Sequence, residues 1–492
     1  MSKIDSQLSI PKQGLDRDEV LAKMKEARIN DANYADGKTW SLVYYLGEEH
    51  SAFINKAHNL FSSTNGLNPM AFKSLMKMEA EVVRMSANLF HGDADTVGVM
   101  TSGGTESILM AVKAYRDYAR KKRPWILRPE IIMPSSAHVA FDKAGHYLGV
   151  KIVAAPLKDD LTVDVKAVKK LINRRTIALV GSAPGYPHGV IDPITELGAL
   201  ALKKKLPLHV DGCLGGFLLP FVEKLGHPIP PFDFRVPGVT SISADIHKYG
   251  YAAKGASVIL YRSMDYLKHQ FFVQADWSGG IYASPSFAGT RPGGPIAAAW
   301  AALNTIGEAG YMAHAKEIMD IVTTLKHGVN AIPGLRVLGH PQMSVFAYNS
   351  TDPKVDIFAV SDQMTAKGWH IDRQQNPMAL HVMVTPAHAQ SHKAYLQDLA
   401  EAVEYVRAHP ELSSEGSAPM YGMIAKMPFR GMVKQSVLKI MEGMYGPDAK
   451  VPDLGNDDPD MATKIGAKFI EVMDTVNAKK DELKEKVTSF IP

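Results

Sequence analysis

The chain has 492 residues, of which 46% are hydrophobic and 22% are charged, and this balance is typical of a folded globular protein with a sizeable core. Lys and Arg number 55 and Asp and Glu 51, so the net charge of +4 excludes the strongly basic surface of a dedicated nucleic-acid-binding protein. The single cysteine, Cys213, excludes an intrachain disulfide and a cysteine-based metal cluster. This cysteine usage favours a reducing compartment and predicts a cytoplasmic location.

The N-terminal sequence and the longest apolar stretch both bear on the membrane. Residues 1–20 mix charged and polar side chains where a secretory signal needs an apolar core, so we expect no such signal. The nearest approach to about eighteen uninterrupted apolar residues is 292–307, which contains Gly, Pro, Asn and Thr. We therefore predict no transmembrane segment.

The apolar pattern divides the chain into an arm and two domains. Residues 1–57 indicate a helical N-terminal arm, and from residue 58 short apolar runs alternate with amphipathic helices. The predicted strands of this part are Ile131–Met133, Val150–Ala155, Ile177–Gly181, Leu208–Asp211, Val239–Ala244 and Ser257–Tyr261. This pattern predicts an α/β fold with a mostly parallel sheet in a large domain at 58–310, followed by a small α+β domain at 311–492.

Two further patterns support this division. Thr105–Arg120 places its apolar side chains on one stripe, as a helix packed on a sheet does. In the predicted small domain, strand-like Met343–Tyr348 and His381–Thr385 are separated by the helical Asp356–Lys367. We expect both strands and both helices in the structure.

The motif TSGGTES at 101–107 is the first candidate binding site. Gly103 and Gly104 lead directly into the helix that starts near Thr105, so bare backbone N–H groups and the positive helix end are available to a phosphate. By itself the motif favours an ordinary N-cap by Thr105 or Ser102 over a phosphate site. It is neither a dinucleotide-binding fingerprint nor a P-loop.

Asp211 and Lys248 each follow a predicted strand. Asp211 ends the strand in LHVDGCLGG, and its carboxylate either caps a turn or pairs with a cation. Lys248, preceded by His247, follows the strand that ends near Ala244; such a lysine is either solvated or is a desolvated amine that forms imines with aldehyde cofactors. Because open α/β sheets bind ligands at the carboxyl ends of their strands, we expect these residues to lie close together.

A phosphate cradle, an aspartate and a lysine are the parts that bind pyridoxal 5'-phosphate. The cradle accepts the phosphate, Lys248 the aldehyde carbon, and the Asp211 carboxylate keeps the ring nitrogen protonated. His138, in PSSAHVAFDKA, is placed to stack on the ring, although a histidine at a helix start fits that position equally well. The combination predicts a pyridoxal phosphate site.

The chain resembles the group II pyridoxal-phosphate-dependent decarboxylase family, and most closely those members that cleave phosphorylated sphingoid bases. The resemblance is carried by TSGGTESILMAVKAYRDYA, PSSAHVAFDKA, PHGVIDPI, PLHVDGCLGGF, FDFRVPGVTSISADIHKYGYAAKG and QADWSGGIYASPSFAGTRPGG. It extends from about Val43 to about Met423. The resemblance implies a pyridoxal-phosphate-dependent transferase-like fold of type I. Membrane-bound members carry an N-terminal anchor helix, whereas this chain is similar to the form without one found in bacteria.

The resemblance also implies roles for individual residues around the cofactor. Lys248 is expected to form the imine and Asp211 to contact the ring nitrogen. His138 is expected to stack on the ring, and His247 to lie on the phosphate side. The phosphate cup is expected to contain Gly103, Gly104 and Thr105.

Other positions are implied to contact the substrate or the neighbouring subunit. Tyr44, Tyr186, Lys254 and Asn65 correspond to residues on the substrate side of the family's site. Lys248, Tyr44 and Tyr186 are all candidates for the base that removes the substrate hydroxyl proton. Thr290, with Arg291, is expected to reach the cofactor of a second subunit, because members of the family are homodimers with sites at the interface.

Two positions depart from the family pattern. Asn68 stands where these relatives have a histidine in Asn-Pro-Leu-His-Pro, and an amide cannot act as an acid or base near neutrality. Tyr186 stands where some relatives have phenylalanine, so a role for its hydroxyl is not general in the family.

The function that the resemblance implies is retro-aldol cleavage of the C2–C3 bond of a phosphorylated sphingoid base, giving a long-chain aldehyde and phosphoethanolamine. An amino-acid decarboxylase uses the same lysine, aspartate and cup, and is the first alternative. A cofactor-binding scaffold without turnover is the second. The presence of both Lys248 and Asp211 argues against the scaffold.

Overall fold

The computed structural model describes residues 2–3, 8–29, 31–416, 418–426, 430–446 and 450–451. In this part of the chain the α-helices are α1 Arg17–Ala27, α2 Glu48–Leu60, α3 Lys73–Leu89, α4 Gly104–Lys122, α5 Ala140–Leu148, α6 Val165–Leu171, α7 Ile194–Lys204, α8 Leu219–Lys224, α9 Met264–Leu267, α10 Gly293–Ala331, α11 Ile357–Ala366, α12 His392–Ala408, α13 Ala418–Lys426 and α14 Arg430–Tyr445. The strands are β1 Ser2–Lys3, β2 Val97–Thr101, β3 Glu130–Pro134, β4 Lys151–Ala155, β5 Thr176–Ser182, β6 Leu208–Asp211, β7 Val239–Ala244, β8 Ser257–Tyr261, β9 Phe272–Gln274, β10 Tyr282–Ser284, β11 Leu335–Val337, β12 Val345–Ser350, β13 Asp372–Gln374, β14 Ala379–Met383 and β15 Lys450–Val451. Short 3-10 helices lie at Pro386–Gln390 and Pro410–Ser414.

A seven-stranded sheet forms the centre of the larger compact unit. Its strand order is β2-β8-β7-β6-β5-β3-β4, and neighbouring strands are parallel except for β8, which is antiparallel to both β2 and β7. The strands are buried along most of their length, as strands covered by helices on both faces are. The predicted α/β fold with a mostly parallel sheet is confirmed.

The six strands predicted in the large domain are present, with bounds that agree to within one residue. The two strands predicted at Met343–Tyr348 and His381–Thr385 lie at Val345–Ser350 and Ala379–Met383, each shifted by two residues. β2 was not predicted. Its sequence VGVMT is short and contains Gly98, whose added Cβ would lie 2.4 Å from the Ile259 carbonyl oxygen of β8. Close backbone packing against β8, which is distant in sequence, therefore defines this strand.

The predicted helices are also present. Helix α4 begins at Gly104 and buries the apolar stripe expected for 105–120, and α11 begins after Asp356, whose side chain accepts hydrogen bonds from the N–H groups of Phe358 and Ala359. Among the described helices, none is long and apolar enough to cross a membrane.

The chain forms two compact units. One comprises residues 34–348 and 381–396 and contains the seven-stranded sheet; the other comprises 349–380 and the described residues within 1–33 and 397–451. Helix α2 continues through the domain limit predicted at 57/58, and α10 through the limit at 310/311, with non-helical backbone at Gly307. The predicted limits stay a prediction, and the predicted small domain after residue 451 lies outside the described residues.

Candidate active site

A cavity of about 490 Å³ lies at the edge of the seven-stranded sheet where the parallel strands end. Ten of the residues predicted from the sequence line this cavity: Tyr44, Gly103, Gly104, Thr105, His138, Tyr186, Asp211, His247, Lys248 and Lys254. The strand register explains why distant segments meet here. Asp211 at the end of β6 pairs with Ser243 of β7, and Lys248 follows β7 by four residues. The cavity is thus at the position where open α/β sheets bind ligands.

The cup at 101–105 is packed so closely that it requires glycine. A Cβ on Gly104 would lie 2.7 Å from Cys213 Sγ and 2.8 Å from Asp245 Oδ2. Gly104 is the first residue of α4, so the first backbone N–H groups of this helix have no partner within the helix and face the cavity edge. The cup can therefore bind an anion through its backbone and the positive end of the helix.

Side-chain hydroxyl groups connect this cup with the strand that precedes Lys248. Thr101 Oγ1 lies 2.6 Å from Ser107 Oγ, which lies 2.9 Å from Ser257 Oγ. Ser257 in turn donates a hydrogen bond to the Ala244 carbonyl oxygen at 3.0 Å. All three hydroxyl groups are buried, so this chain of bonds fixes the distance between the cup and the end of β7.

Lys248 forms a close ion pair with Asp245, three residues before it. Its Nζ lies 3.0 Å from Asp245 Oδ2, and the side chain of Asp245 is only 2% exposed. Burial disfavours the ammonium, but the Asp245 carboxylate outweighs it and raises the pKa of Lys248. Burial likewise opposes the charge of Asp245, yet Lys248 and His247 hold the pKa of that carboxyl below its ordinary value. Sequence reasoning did not find Asp245, although its spacing from Lys248 was a usable signal.

Asp211 is buried at the end of β6, and two hydrogen bonds fix its Oδ1. The carboxylate accepts hydrogen bonds from the Cys213 N–H at 3.1 Å and from Ser243 Oγ at 3.4 Å. Two residues earlier, burial lowers the pKa of His209 to about 4, so this imidazole is neutral beneath the site. The geometry therefore orients the Asp211 side chain at the cavity wall.

The two histidines of the cavity differ in their surroundings. His247 is mostly buried, and burial lowers its pKa, with Asp245 acting in the opposite direction. Its Nδ1 has no hydrogen-bond partner within the described part of the chain. His138 is exposed to the cavity, and its Nδ1 accepts a hydrogen bond from the Ala140 N–H at 3.2 Å. The His138 ring is therefore held at its base with a face free for a planar ligand.

Tyr44 and Lys254 form another wall of the cavity. Lys254 Nζ donates a hydrogen bond to the Leu42 carbonyl oxygen at 2.8 Å and lies 5.2 Å from the centroid of the Tyr44 ring. Enclosure raises the pKa of Tyr44 well above its ordinary value, with a further contribution from Asp245. Desolvation, followed by the charge of Lys248, lowers the pKa of Lys254. The Tyr44 hydroxyl is therefore protonated near neutrality in this structure, and its expected role as a base stays a prediction.

The position of Tyr186 depends on two residues that the sequence did not indicate. The centroid of its ring lies 4.4 Å from that of the buried His381, and His381 Nδ1 lies 3.4 Å from the Pro187 carbonyl oxygen. The loop that carries Tyr186 is anchored by the buried Asp192, which accepts hydrogen bonds from the N–H groups of Ser182 and Val163. No local pattern marks either residue, because both act through contacts between distant segments.

Four residues that the sequence indicated lie outside the cavity lining, namely Asn65, Asn68, Thr290 and Arg291. Asn65 Oδ1 accepts hydrogen bonds from the N–H groups of Leu67 and Arg291, and Thr290 is exposed beside a separate, small cavity. Asn68 Oδ1 accepts from the N–H groups of the second and third residues after it, so its amide closes a turn. The expected substrate contact of Asn65 and the intersubunit contact of Thr290 stay predictions.

The cavity fits pyridoxal phosphate. The glycine cup at a helix N-terminus suits a phosphate, Lys248 supplies an amine, and Asp211 supplies a fixed carboxylate. The unpaired Nδ1 of His247 is a further polar atom available to the phosphate side, since a Cβ on Gly103 would lie 3.5 Å from His247 Cε1.

Comparison with known proteins agrees with this geometry. The pyridoxal-dependent decarboxylase conserved domain matches residues 44–349. The sphingosine-1-phosphate lyase of Oryza sativa subsp. japonica is 48% identical over 88% of this chain and 81% of its own, and the sphingosine-1-phosphate lyase 1 of Rattus norvegicus is 48% identical over 89% and 77%. The solved structure of the sphingosine-1-phosphate lyase of Burkholderia pseudomallei K96243 has a TM-score of 0.79 and 43% identity, covering 83% of this chain and 94% of that one.

Matches of this extent show the cofactor, pyridoxal phosphate, and the chemistry, that of a pyridoxal-phosphate-dependent lyase. They confirm the resemblance and the type I fold inferred from the motifs. The chain therefore belongs to the pyridoxal-dependent decarboxylase family and, within it, to the sphingosine-1-phosphate lyases.

Proposed function

We propose that the cavity around Lys248 is the active site, in which this chain cleaves the C2–C3 bond of a phosphorylated sphingoid base. The products are a long-chain aldehyde and phosphoethanolamine. The observation that carries the assignment is the grouping of an amine, a fixed carboxylate and a glycine phosphate cup around one cavity. The similarity to lyases of this specificity supports the substrate class.

Five residues would hold the cofactor. Gly103, Gly104 and Thr105 would bind the phosphate through backbone N–H groups, His138 would stack on the ring, and Asp211 would keep the ring nitrogen protonated. When bound, pyridoxal phosphate supplies an aldehyde that links to amines and a protonated ring that accepts an electron pair. Asp211 is suited to this task because its hydrogen bonds to Cys213 and Ser243 fix the carboxylate before any ligand binds.

Lys248 and Asp245 would together set the protonation state of the reactive amine. The raised pKa of Lys248 and the lowered pKa of Asp245 both keep the proton on the amine, which is held as an ammonium 3.0 Å from Asp245 Oδ2 until a bound ligand accepts that proton. This arrangement stores the amine in protonated form and keeps it oriented toward the cavity. Asp245 therefore acts on Lys248, while Asp211 acts on the ring.

The remaining cavity residues would act on the substrate. All three candidate bases stay in the proposal, since burial raises the pKa of Tyr44 and the Asp245 carboxylate raises that of Lys248 against the effect of burial. In its protonated form the Tyr44 hydroxyl would donate a hydrogen bond at the substrate oxygen. Lys254 would bind the substrate phosphate, since its ammonium lies at the same wall as Tyr44.

A homodimer with sites shared between subunits is part of the proposal. The segment 277–295 contains Arg291 as its single charged residue, and the neighbouring surface exposes large apolar side chains. These are Phe272 at 54%, Val273 at 61%, Trp277 at 57%, Ile281 at 80% and Phe287 at 63% exposure. Apolar exposure of this extent is typical of a surface that packs against another protein chain. A second copy would bring Thr290 to the neighbouring cofactor.

A cytoplasmic location is also proposed. The support is the single cysteine, Cys213, which is a buried free thiol. Such cysteine usage is typical of proteins that work in a reducing compartment.

One product analysis tests the function. Purified protein loaded with pyridoxal phosphate is incubated with a phosphorylated sphingoid base, and we expect aldehyde and phosphoethanolamine in equal amounts. Carbon dioxide released from an amino acid, with the sphingoid base left intact, would establish the decarboxylase alternative. Cofactor absorbance without turnover of either substrate would establish the scaffold alternative.

A further inference from the structure

Strand β2 ends the seven-stranded sheet on one side, and its outward backbone groups are bonded by side chains. The Met100 N–H donates to Glu79 Oε1 at 2.9 Å, and the Met100 carbonyl oxygen accepts from Arg291 Nη2 at 3.0 Å. Buried backbone groups at a sheet edge require partners. Glu79 of α3 and Arg291 before α10 supply them in place of another strand.

Glu79 and Arg291 are also paired with each other. Arg291 Nη1 donates to Glu79 Oε2 at 2.9 Å, and Nη2 donates to Oε1, so the guanidinium and carboxylate form a two-point contact. The Arg291 side chain is 9% exposed and that of Glu79 is 16% exposed. A buried ion pair contributes little to net stability on average, whereas its geometry strongly constrains orientation. The Arg291 charge is neutralised by Glu79, so Arg291 is not itself a free anion-binding group.

This pair lies directly beside the phosphate cup. Met100 precedes Thr101, whose hydroxyl contacts Ser107 Oγ at 2.6 Å, and the cup glycines follow. Any displacement of Met100 is therefore transmitted along two residues to Gly103.

The backbone of Arg291 fixes one end of the segment that carries Thr290. The Arg291 N–H donates to Asn65 Oδ1 at 3.1 Å, and its carbonyl oxygen accepts from the Gly66 N–H at 2.7 Å. At the other end of the segment, the Phe287 N–H donates at 2.9 Å to Glu106, a residue of the cup helix. Residues 287–291 are thus attached to the cup at both ends.

We propose that Glu79 and Arg291 are positioning residues for the cofactor phosphate, because together they fix the cup at 101–105 and the segment at 287–291 against each other. The proposal rests on the proposed function, since it takes the cup as the phosphate site. It assigns neither residue a contact with the reacting atoms. Loss of the pair should therefore weaken binding of the cofactor phosphate and leave binding of the rest of the cofactor unchanged.

The test compares two ligands, pyridoxal phosphate and pyridoxal, which lacks the phosphate. Apo-protein of wild type, Glu79→Gln and Arg291→Lys is titrated with each ligand, and the dissociation constants are measured by absorbance after equilibrium dialysis. Lysine keeps the charge of Arg291 but cannot bond Glu79 and Met100 together. We expect the constant for pyridoxal phosphate to rise at least about tenfold. The constant for pyridoxal should change by less than about twofold.

Glu130→Gln is the matched control. Glu130 is the first residue of β3, at the end of the sheet where the parallel strands begin and away from the cup, and its buried carboxylate pairs with Arg175 at 2.7 Å. Thermal unfolding of the apo-proteins measures how much each variant is destabilised, and the control should lose stability with both dissociation constants unchanged. If Arg291→Lys does not fold, Glu79→Gln decides the question alone.

The outcomes separate this inference from the proposed function. Equal weakening of pyridoxal and pyridoxal phosphate, or unchanged binding of both by Glu79→Gln, overturns the positioning role while the function stands. Wild-type protein that binds neither ligand overturns both. A selective loss of pyridoxal phosphate in the variants, absent from Glu130→Gln, establishes the role.

Discussion

The seven-stranded sheet has one edge where its parallel strands begin and one where they end. Both edges hold similar buried charges, which differ in what surrounds them. At the edge where β3 begins, Glu130 pairs with Arg175 at 2.7 Å and accepts a hydrogen bond from Asn173 at 2.7 Å. At the edge where β7 ends, Asp245 pairs with Lys248 at 3.0 Å. The Glu130 and Asp245 side chains are 3% and 2% exposed, so burial of the carboxylate does not distinguish the edges.

The cation and the free space distinguish them. Arg175 is permanently charged and 53% exposed, so its pair with Glu130 can only stabilise structure. Lys248 is 23% exposed, faces a cavity of about 490 Å³ beside two cup glycines, and can lose its proton to a neighbour. A buried ion pair thus becomes a reactive site when its cation can be deprotonated and a ligand has room to reach it.

The largest expected effect is that of removing the Lys248 amine. Lys248→Ala should lower turnover of phosphorylated sphingoid base at least about 10³-fold, because this amine forms the link to the cofactor. Steady-state assays of aldehyde release measure it. Glu130→Gln, at the other edge, should stay within about twofold of wild type. Comparable losses in the two variants would erase the distinction between the edges.

Asp211→Asn should have the next largest effect. The amide keeps the shape of the side chain but cannot hold the ring nitrogen protonated, and loss of about 3 kcal/mol of transition-state stabilisation lowers kcat about 100-fold. The cofactor should still bind through Lys248 and the cup. Rate constants measured with saturating cofactor test this, and a kcat near wild type would show that Asp211 is a structural cap.

Lys254→Met should act mainly on substrate binding. A charge-assisted hydrogen bond to the substrate phosphate contributes enough free energy that KM should rise about tenfold, with a smaller change in kcat. Lys224→Met, which removes an exposed lysine paired with Glu308, is the matched control and should leave KM unchanged. An unaltered KM in Lys254→Met, or a KM raised equally in the control, excludes a phosphate contact by Lys254.

The smallest expected effect concerns stability toward acid. Burial lowers the pKa of His188, His209 and His388 to about 4, so the folded chain keeps these imidazoles neutral while the unfolded chain protonates them below about 6.5. Stability is therefore lost as the pH falls from about 6.5 toward 4. Asp192, whose pKa burial raises to about 6, acts oppositely, since its contribution is lost as the pH rises from about 4 to 6.

On acidification the stability lost through the three histidines exceeds the stability gained through Asp192. The Tm should therefore fall by roughly 3 °C or more between pH 6.5 and pH 4.5. Scanning calorimetry measures the shift. His209→Asn removes one of the three groups and should show a smaller fall over the same interval. A Tm that rises on acidification would mean that the buried histidines are not neutral in the folded chain.

The sequence predicted those parts of the fold and site that local patterns encode. The apolar strands, the helix after the glycines, Asp211 and Lys248 all lie in short segments whose residue types fit one environment. β2 was missed because its five residues are defined by pairing with β8, more than a hundred positions later. Asp192 and His381 were missed because their contacts join distant segments.

Asn65 shows the limit of carrying positions over from a family. The resemblance implied a substrate contact for this residue, which stays a prediction. The structure adds that its Oδ1 accepts hydrogen bonds from the N–H groups of Leu67 and Arg291, and no local pattern specifies the bond from Arg291. The Glu79–Arg291 pair could not be predicted from local patterns either, since the two residues are 212 positions apart. Residues that position a site through tertiary contacts need the structure to be found.

The central claim is that Lys248 is the residue that binds the cofactor covalently. Borohydride reduction of the loaded protein, followed by proteolysis and mass spectrometry, tests it directly. Fragmentation of the labelled peptide locates the modified side chain, and we predict a stable pyridoxyl label on Lys248 and none on Lys254, six residues later. A label found on Lys254 or on any other lysine, or a protein that takes up no label, would contradict the account.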